Sequence, residues 1–228
     1  MVNAAVMGVC GPLRYILLTD RMLEALPPRH IEAVLAHEIA HARLNHLPWL
    51  AAAALGLFIG PGLAVDGLLG LLEARVQARA EDLNAAPWLP WIGAGLVLAA
   101  WIPAFGWIAR RFERHADAFA AVELARRHPP SAPTRRGTIP FEATRTMIRA
   151  LGSVARLNGA PADQWSWRHG SIRCRQCHLA RLTGRSTDDL PIDRTVRRIR
   201  RATVILMLAG ATALTLAWLQ GGRTGGPL

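Results

Sequence analysis

The pentapeptide His37-Glu38-Ile39-Ala40-His41 holds the residue types that metal-assisted hydrolysis requires. Residues four apart on a helix lie one turn apart on the same face, so two imidazoles can converge on a single ion. Glu38 projects from the adjoining part of that face, within reach of a water held there. One helical turn of H-E-x-x-H thus delivers two zinc ligands and a general base. The bland alternative is a solvated helix face that happens to carry two histidines and a glutamate.

Two histidines leave a zinc ion unsaturated, because a catalytic site takes a third protein ligand and keeps one position open. Arg111-Phe112-Glu113-Arg114-His115-Ala116-Asp117 offers that ligand. Glu113 and Asp117 are four apart and share a helix face. Glu113 can bind the metal while Asp117 hydrogen-bonds the far nitrogen of a ligating histidine and fixes its tautomer. Alone, E-x-x-x-D describes many solvated helices; it gains weight by following H-E-x-x-H across two apolar stretches. His46 extends the first motif to H-E-x-x-H-x-x-x-x-H, and a role at the site or as a polar helix end beside Pro48 is equally open.

These side chains need elements to carry them. Residues 3–8 and 13–19 read as short strands around a Gly11-Pro12 turn. Thr19-Asp20 caps a short helix to about Leu26. Pro27-Pro28 then starts a helix from about Arg29 to His46, with Ile31, Val34, Leu35, Ile39 and Ala42 as its apolar stripe. Three long apolar runs follow: residues 47–72, charged only at Asp66, and the uncharged 88–109 and 202–219. Each approaches the length that crosses a hydrocarbon core of about 30 Å. Gly60-Pro61-Gly62 marks the first as a kinked or re-entrant span. Trp49, Trp88, Trp91, Trp101, Trp107 and Trp218 lie in these runs, mostly near their ends, as an aromatic belt does.

The net charge of +11 and mean hydropathy of +0.19 fit segregation into apolar spans and basic loops. All 27 basic residues are arginine, and they cluster beside the spans, which favours a membrane over a nucleic-acid partner. Twenty arginines fall in residues 110–201 and four in 1–46, against Arg75 and Arg79 between the first two runs. The positive-inside rule then places 1–46 and 110–201 in the cytoplasm, with three crossings and an outer C-terminus. The expected organisation is edge strands and the H-E-x-x-H helix in 1–46, two spans with a short outer connection in 47–109, the rest of the catalytic domain in 110–201, and a last span and tail in 202–228. Residues 128–140, rich in Pro and Arg, read as a flexible surface loop.

Taken together, these residues resemble the integral-membrane zinc metallopeptidases that include CAAX prenyl protease and the heat-shock protease HtpX. The likeness covers most of residues 3–183. It includes the strand Asn3-Ala4-Ala5-Val6-Met7-Gly8, the run Tyr15 to Leu26, the H-E-x-x-H helix, the paired spans, and Glu113 with Asp117. The resemblance implies a mainly helical polytopic membrane protein with a small β element and a zincin-like cytoplasmic protease domain. It implies one zinc ion held by His37, His41 and Glu113, with Glu38 as catalytic base and Asp117 behind the ligands. It also implies an edge strand, Asn3, Ala4 and Ala5, that pairs with extended substrate. Trp167-Arg168-His169-Gly170-Ser171 and Arg175 resemble the family's late His-Pro segment with its downstream arginine, here with Gly170 in place of proline. That segment implies an oxyanion-stabilising role for His169 and a place for Arg175 beside substrate; a plain loop histidine is the alternative.

The family carries further sequence ahead of this strand, so a missing N-terminal region or a partner subunit is expected. Substrates are expected to be peptides or membrane proteins, the surroundings to be lipid of a prokaryotic inner or plasma membrane, and nucleic acid to play no part. Three cysteines are too few for a disulfide scaffold. Cys174-Arg175-Gln176-Cys177-His178 matches the attachment pattern of c-type haem, which makes a membrane cytochrome one competing reading. A redox pair or accessory zinc site there is a second, and a non-enzymatic zinc-binding membrane adaptor is a third.

Overall fold

The computed structural model describes residues 2–8, 13, 15–77, 88–129 and 137–224. In chain order these form strands β1 (Ala4–Met7) and β2 (Tyr15–Leu18), then helices α1 (Asp20–Ala25), α2 (Pro28–Arg43), α3 (His46–Gln77), α4 (Leu89–Arg127), α5 (Phe141–Leu157), α6 (Ile172–Ala180) and α7 (Pro191–Thr224). The architecture is mainly helical with one small sheet, as the sequence leads one to expect. Cys10, the Gly11-Pro12 turn, residues 78–86 of the expected outer connection and residues 130–136 of the expected loop lie outside the described residues.

The chain divides into two compact units. One comprises Met1–Leu50 with Gly106–Arg198, the other Ala51–Phe105 with Ile199–Leu228. In the first, β1 and β2 pair antiparallel with Ala4 opposite Leu18 and Met7 opposite Tyr15. Asn3 lengthens the ladder: Thr19 N–H donates to its carbonyl at 3.1 Å, and its own N–H donates to Thr19 Oγ1 at 3.1 Å. The Thr19 hydroxyl is therefore committed to the sheet and does not cap α1, contrary to expectation.

Backbone polar groups alternate sides along a strand, so Asn3, Ala5 and Met7 face β2 while Val2, Ala4 and Val6 face the outer edge. Val2 is clasped there by one amide: its N–H donates to Asn158 Oδ1 at 2.7 Å and its carbonyl accepts from Asn158 Nδ2 at 2.8 Å. Val2, Met22 and Leu26 form the core beneath this sheet, against Ile31, Val34, Val154 and Leu157. α2 begins with Pro28 in its first turn, where a missing N–H leaves no helical bond unmade. It buries Ala33, Ala36, His37 and Ala40, an i, i+3, i+4, i+7 stripe of three alanines and one histidine on the helix that packs against β1 and α5.

α2 does not reach His46. It stops at Arg43; Leu44 N–H donates to Ala40 O, and Asn45 takes a left-handed conformation with φ 51°. Asparagine tolerates that conformation better than most residues, which ends the helix and lets His46 open α3. The end of the expected loop is also anchored: Ile139 is fully buried, its N–H donates to Arg185 O at 2.9 Å, and Thr138 bridges to Ser186.

In the second unit the pattern of exposure inverts. The helical stretches that supply this unit, His46–Leu71, Pro90–Arg127 and Pro191–Leu216, each with one end in the first unit, are long and apolar enough to cross a membrane. Leu68, Leu71, Trp91, Leu96, Ile205, Leu208 and Trp218 all point outward. Pro61 lies inside α3, so Gly60-Pro61-Gly62 does not interrupt the helix. Glycines allow close helix approach: a Cβ on Gly93 would meet Val65 Cγ1 at 2.7 Å, and one on Gly210 would meet Ile59 Cγ2 at 2.8 Å.

Candidate metal centre and active site

α2 and α4 bring three donor atoms to one point. His37 Nε2 lies 3.2 Å from His41 Nε2, Glu113 Oε1 lies 3.5 Å from His41 Nε2, and Glu113 Oε2 lies 3.7 Å from His37 Nε2. Tetrahedral zinc with bonds of about 2.0–2.1 Å places its ligand atoms about 3.3 Å apart, so the residues fit such an ion. Among the described residues, His37, His41 and Glu113 are the one metal-competent group of three. Two imidazole nitrogens and a carboxylate oxygen suit a borderline-soft divalent metal.

The surroundings hold these donors in place. Asp117 Oδ1 comes within 3.0 Å of His37 Nδ1, a contact of charge and distance rather than an aligned hydrogen bond. Arg175, on α6, donates from Nε to Asp117 Oδ2 at 2.9 Å and from Nη2 to Oδ1 at 2.6 Å. Its Nη1 lies 3.3 Å from Glu113 Oε2. One buried guanidinium therefore pairs with both buried carboxylates, and the planar fork fixes Asp117 in orientation. Arg175, expected beside substrate, borders the cavity but has its guanidinium engaged by these two carboxylates. Against its desolvation, Asp117 and Glu113 raise its pKa above the ordinary arginine value, so it stays charged.

Burial pushes His41 down to about 4, aided by the neighbouring His37. His41 is thus neutral near pH 7, as a metal ligand must be. Burial alone would lower His37 too, but the contact and charge of Asp117 raise it. Glu38 is lifted above the usual carboxylate range, first by burial and then by Glu113, against His37, the Val6 amide and Arg175. A carboxylate tuned upward is a better proton acceptor near neutrality.

Glu38 shares a cavity of about 430 Å³ with His37, His41, Glu113 and the outer edge of β1. The Val6 amide favours the charged form of Glu38, and Asn158 holds Val2, so Ala4 stands between them with its backbone facing the edge. Of the three residues expected to pair with substrate, Ala4 alone has the required orientation. Asn3 and Ala5 turn their polar groups to β2.

His169 Nδ1 sits 3.1 Å from Glu113 Oε1 on a half-exposed side chain. Gly170 follows with φ 73°, and its N–H closes the turn onto Ser166 O at 2.8 Å. Glycine takes that φ without strain, so this tight turn presents His169 in place of the proline-bearing segment. Cys174 and Cys177 are exposed, because Arg175 and Leu179 occupy the inward face of α6. They join no metal-competent group among the described residues.

The model of peptidase family M48 matches residues 1–139, more than half of the chain. The chain belongs to peptidase family M48. No curated protein and no solved structure gave a match. The matched stretch of this M48 peptidase contains His37, Glu38, His41, Glu113 and Asp117; His169 and Arg175 lie beyond it, where the resemblance of their segment and the geometry of the site bring them in. Membership in a metallopeptidase family displaces the cytochrome reading, and the kinship with the CAAX protease and HtpX type holds.

The pairing of Arg175 with both carboxylates and the contact of His169 with Glu113 were not legible from spacing. The residues come from elements far apart in the chain, joined by no common periodicity. The signal available was Arg175 itself, an arginine on the buried face of a short helix.

Proposed function

We propose that this chain is a membrane-bound zinc metalloendopeptidase. The observation that carries the reading is the triangle of His37 Nε2, His41 Nε2 and Glu113 facing the same cavity as Glu38 and the edge of β1. Zinc, when bound by these three residues, lowers the pKa of a water and polarises a carbonyl. Glu38 takes the proton from the attacking water and delivers it to the leaving amine. Ala4 receives the substrate backbone as an added strand, which reads main chain more than side chain. His169, half-exposed at the cavity rim, is placed to donate toward the oxygen that gains charge in the transition state.

Three apolar helices continuous with the site support membrane proteins or membrane-attached peptides as substrates. The twenty arginines of 110–201, against Arg75 and Arg79 between the first two spans, support a cytoplasmic active site in a prokaryotic inner or plasma membrane.

The decisive comparison is cleavage of an unstructured membrane-tethered peptide by wild type and by Glu38→Gln, with zinc measured in both. The enzyme reading expects zinc in both proteins and turnover in the wild type alone, at least about 10²–10⁴-fold faster. Equal turnover would remove Glu38 from the chemistry. Zinc in both with turnover in neither would point to an adaptor.

A further inference from the structure

A line of three imidazoles starts at His41. His41 Nδ1 lies 3.2 Å from His46 Nδ1, His46 Nε2 lies 3.0 Å from His115 Nδ1, and His115 Nε2 lies 3.2 Å from Asp193 Oδ1. The four residues belong to four helices, α2, α3, α4 and α7.

Each link has a local cause. On an uninterrupted helix His46 would stand about 140° around the axis from His41. The left-handed Asn45 ends α2 and folds His46 back toward it. His46 is fully buried and its ring stacks on Phe112, with centroids 4.9 Å apart at 30°. His115 lies on the α4 turn that carries Glu113 and Asp117. Asp193 is held from behind: Leu190 N–H donates to its Oδ2 at 3.0 Å, as a third-position acid does at a helix start, leaving Oδ1 for His115.

With all three imidazoles neutral, the protons on this line have one consistent arrangement. A carboxylate only accepts, so His115 carries its proton on Nε2 and offers Nδ1 as acceptor. His46 must then donate from Nε2 and accept at Nδ1. His41 must donate from Nδ1, which leaves the lone pair on its Nε2. That Nε2 is the atom 3.2 Å from His37 Nε2 and 3.5 Å from Glu113 Oε1.

We propose that His46, His115 and Asp193 are positioning residues that lock His41 with its Nε2 lone pair directed at the metal. The inference rests on the metal-site reading above. The two ligand histidines are then supported differently. His37 meets a carboxylate, Asp117, directly, whereas His41 meets one at the end of two further imidazoles. Partners behind a ligating histidine orient it and raise its donor strength, and their loss typically costs 10–100-fold in metal affinity. The line also ties the metal centre to the first turn of α7.

The test is zinc affinity by chelator competition on the detergent-solubilised full chain, for wild type, Asp193→Asn and His115→Gln. His128→Gln is the control: His128 also bonds a carboxylate, Glu32 Oε2 at 2.6 Å, but away from the line. The expected result is a loss of about 10–100-fold in both line variants and a change within about twofold in the control. Folded line variants that bind zinc as tightly as wild type would overturn the proposal. A second measurement does not depend on variants folding: ring-nitrogen NMR of zinc-free wild type labelled with ¹⁵N-histidine, with His41 assigned by its loss in His41→Gln. The proton must reside on Nδ1 of His41 and on Nε2 of His46 and His115; a His41 proton on Nε2 overturns the assignment. A wild type that binds no zinc would defeat the metal reading, while the same spectrum still decides the tautomers.

Discussion

Along α4, Trp91 and Leu96 turn outward with 79% and 63% of their surface exposed, while Glu113 and Asp117, about six turns further on, are 7% and 0% exposed. The first half of the helix shows apolar side chains to the outside and the second half buries charge. Neither arrangement suits an ordinary soluble helix. The contrast teaches that one element serves two surroundings: in one unit the outside is as apolar as a core, and in the other the interior is polar because it gathers the three candidate metal ligands and their charged partners. Buried charge persists in the unit of the candidate site because each carboxylate meets Arg175 and a histidine. Exposed tryptophan and leucine persist in the apolar unit because their surroundings are lipid.

Arg175→Ala attacks the catalytic half of that contrast most severely. It leaves two buried carboxylates without their shared cation, and breaking such an arrangement costs about 3–5 kcal/mol. Thermal unfolding in detergent is expected to show a large fall in Tm, with only partial recovery in Arg175→Lys, which keeps the charge and loses the fork. An unchanged Tm in Arg175→Ala would mean that the carboxylates do not depend on it.

Leu96→Arg tests the apolar half. Arginine near the middle of a span costs about 2.5–3.5 kcal/mol for insertion. A membrane-integration assay is expected to show a lower inserted fraction, whereas Leu96→Ala inserts nearly as wild type. Equal insertion of Leu96→Arg would argue that this face is not in lipid.

A subtler difference lies in pH. His41 is depressed to about 4 from an ordinary 6.5 by burial and by His37. Between those values the unfolded chain of zinc-free protein binds a proton that folded His41 refuses. Stability therefore falls as pH drops from about 6.5 to about 4, by an amount on the order of 3 kcal/mol from this group. His37 and Glu38 are shifted upward and act in the opposite sense, since the folded chain retains their protons to higher pH. The difference between wild type and His41→Gln separates the contributions: Tm of the variant is expected to decline less steeply over that window. Parallel curves would contradict the buried, neutral state of His41.

What could be read from the sequence was local. H-E-x-x-H needed only helical periodicity, and Glu113 with Asp117 needed that periodicity plus the spacing of two apolar runs. The strand from Asn3 was legible as a strand, but which of its amides faces outward depended on its pairing with Thr19. The end of α2 escaped because a single left-handed residue, Asn45, decided it, and the apolar stripe through Ala42 gave no stop signal. His46 to His115 spans 69 residues, and Asp193 lies on a helix whose expected span began only at residue 202. No periodicity within one segment links them; the packing of several helices does. Arg175 was identified by position, yet its partners came from the burial of α6 and not from its neighbours in sequence.

The central claim is that α2 and α4 jointly hold one metal ion. The most direct measurement is zinc per chain in detergent-purified protein, wild type against Glu113→Ala. The account predicts about one zinc per chain in the wild type and its loss or marked weakening in the variant. Zinc retained in full by Glu113→Ala would place the metal elsewhere, with Cys174, Cys177 and His178 the first group to test, and would contradict the three-residue site.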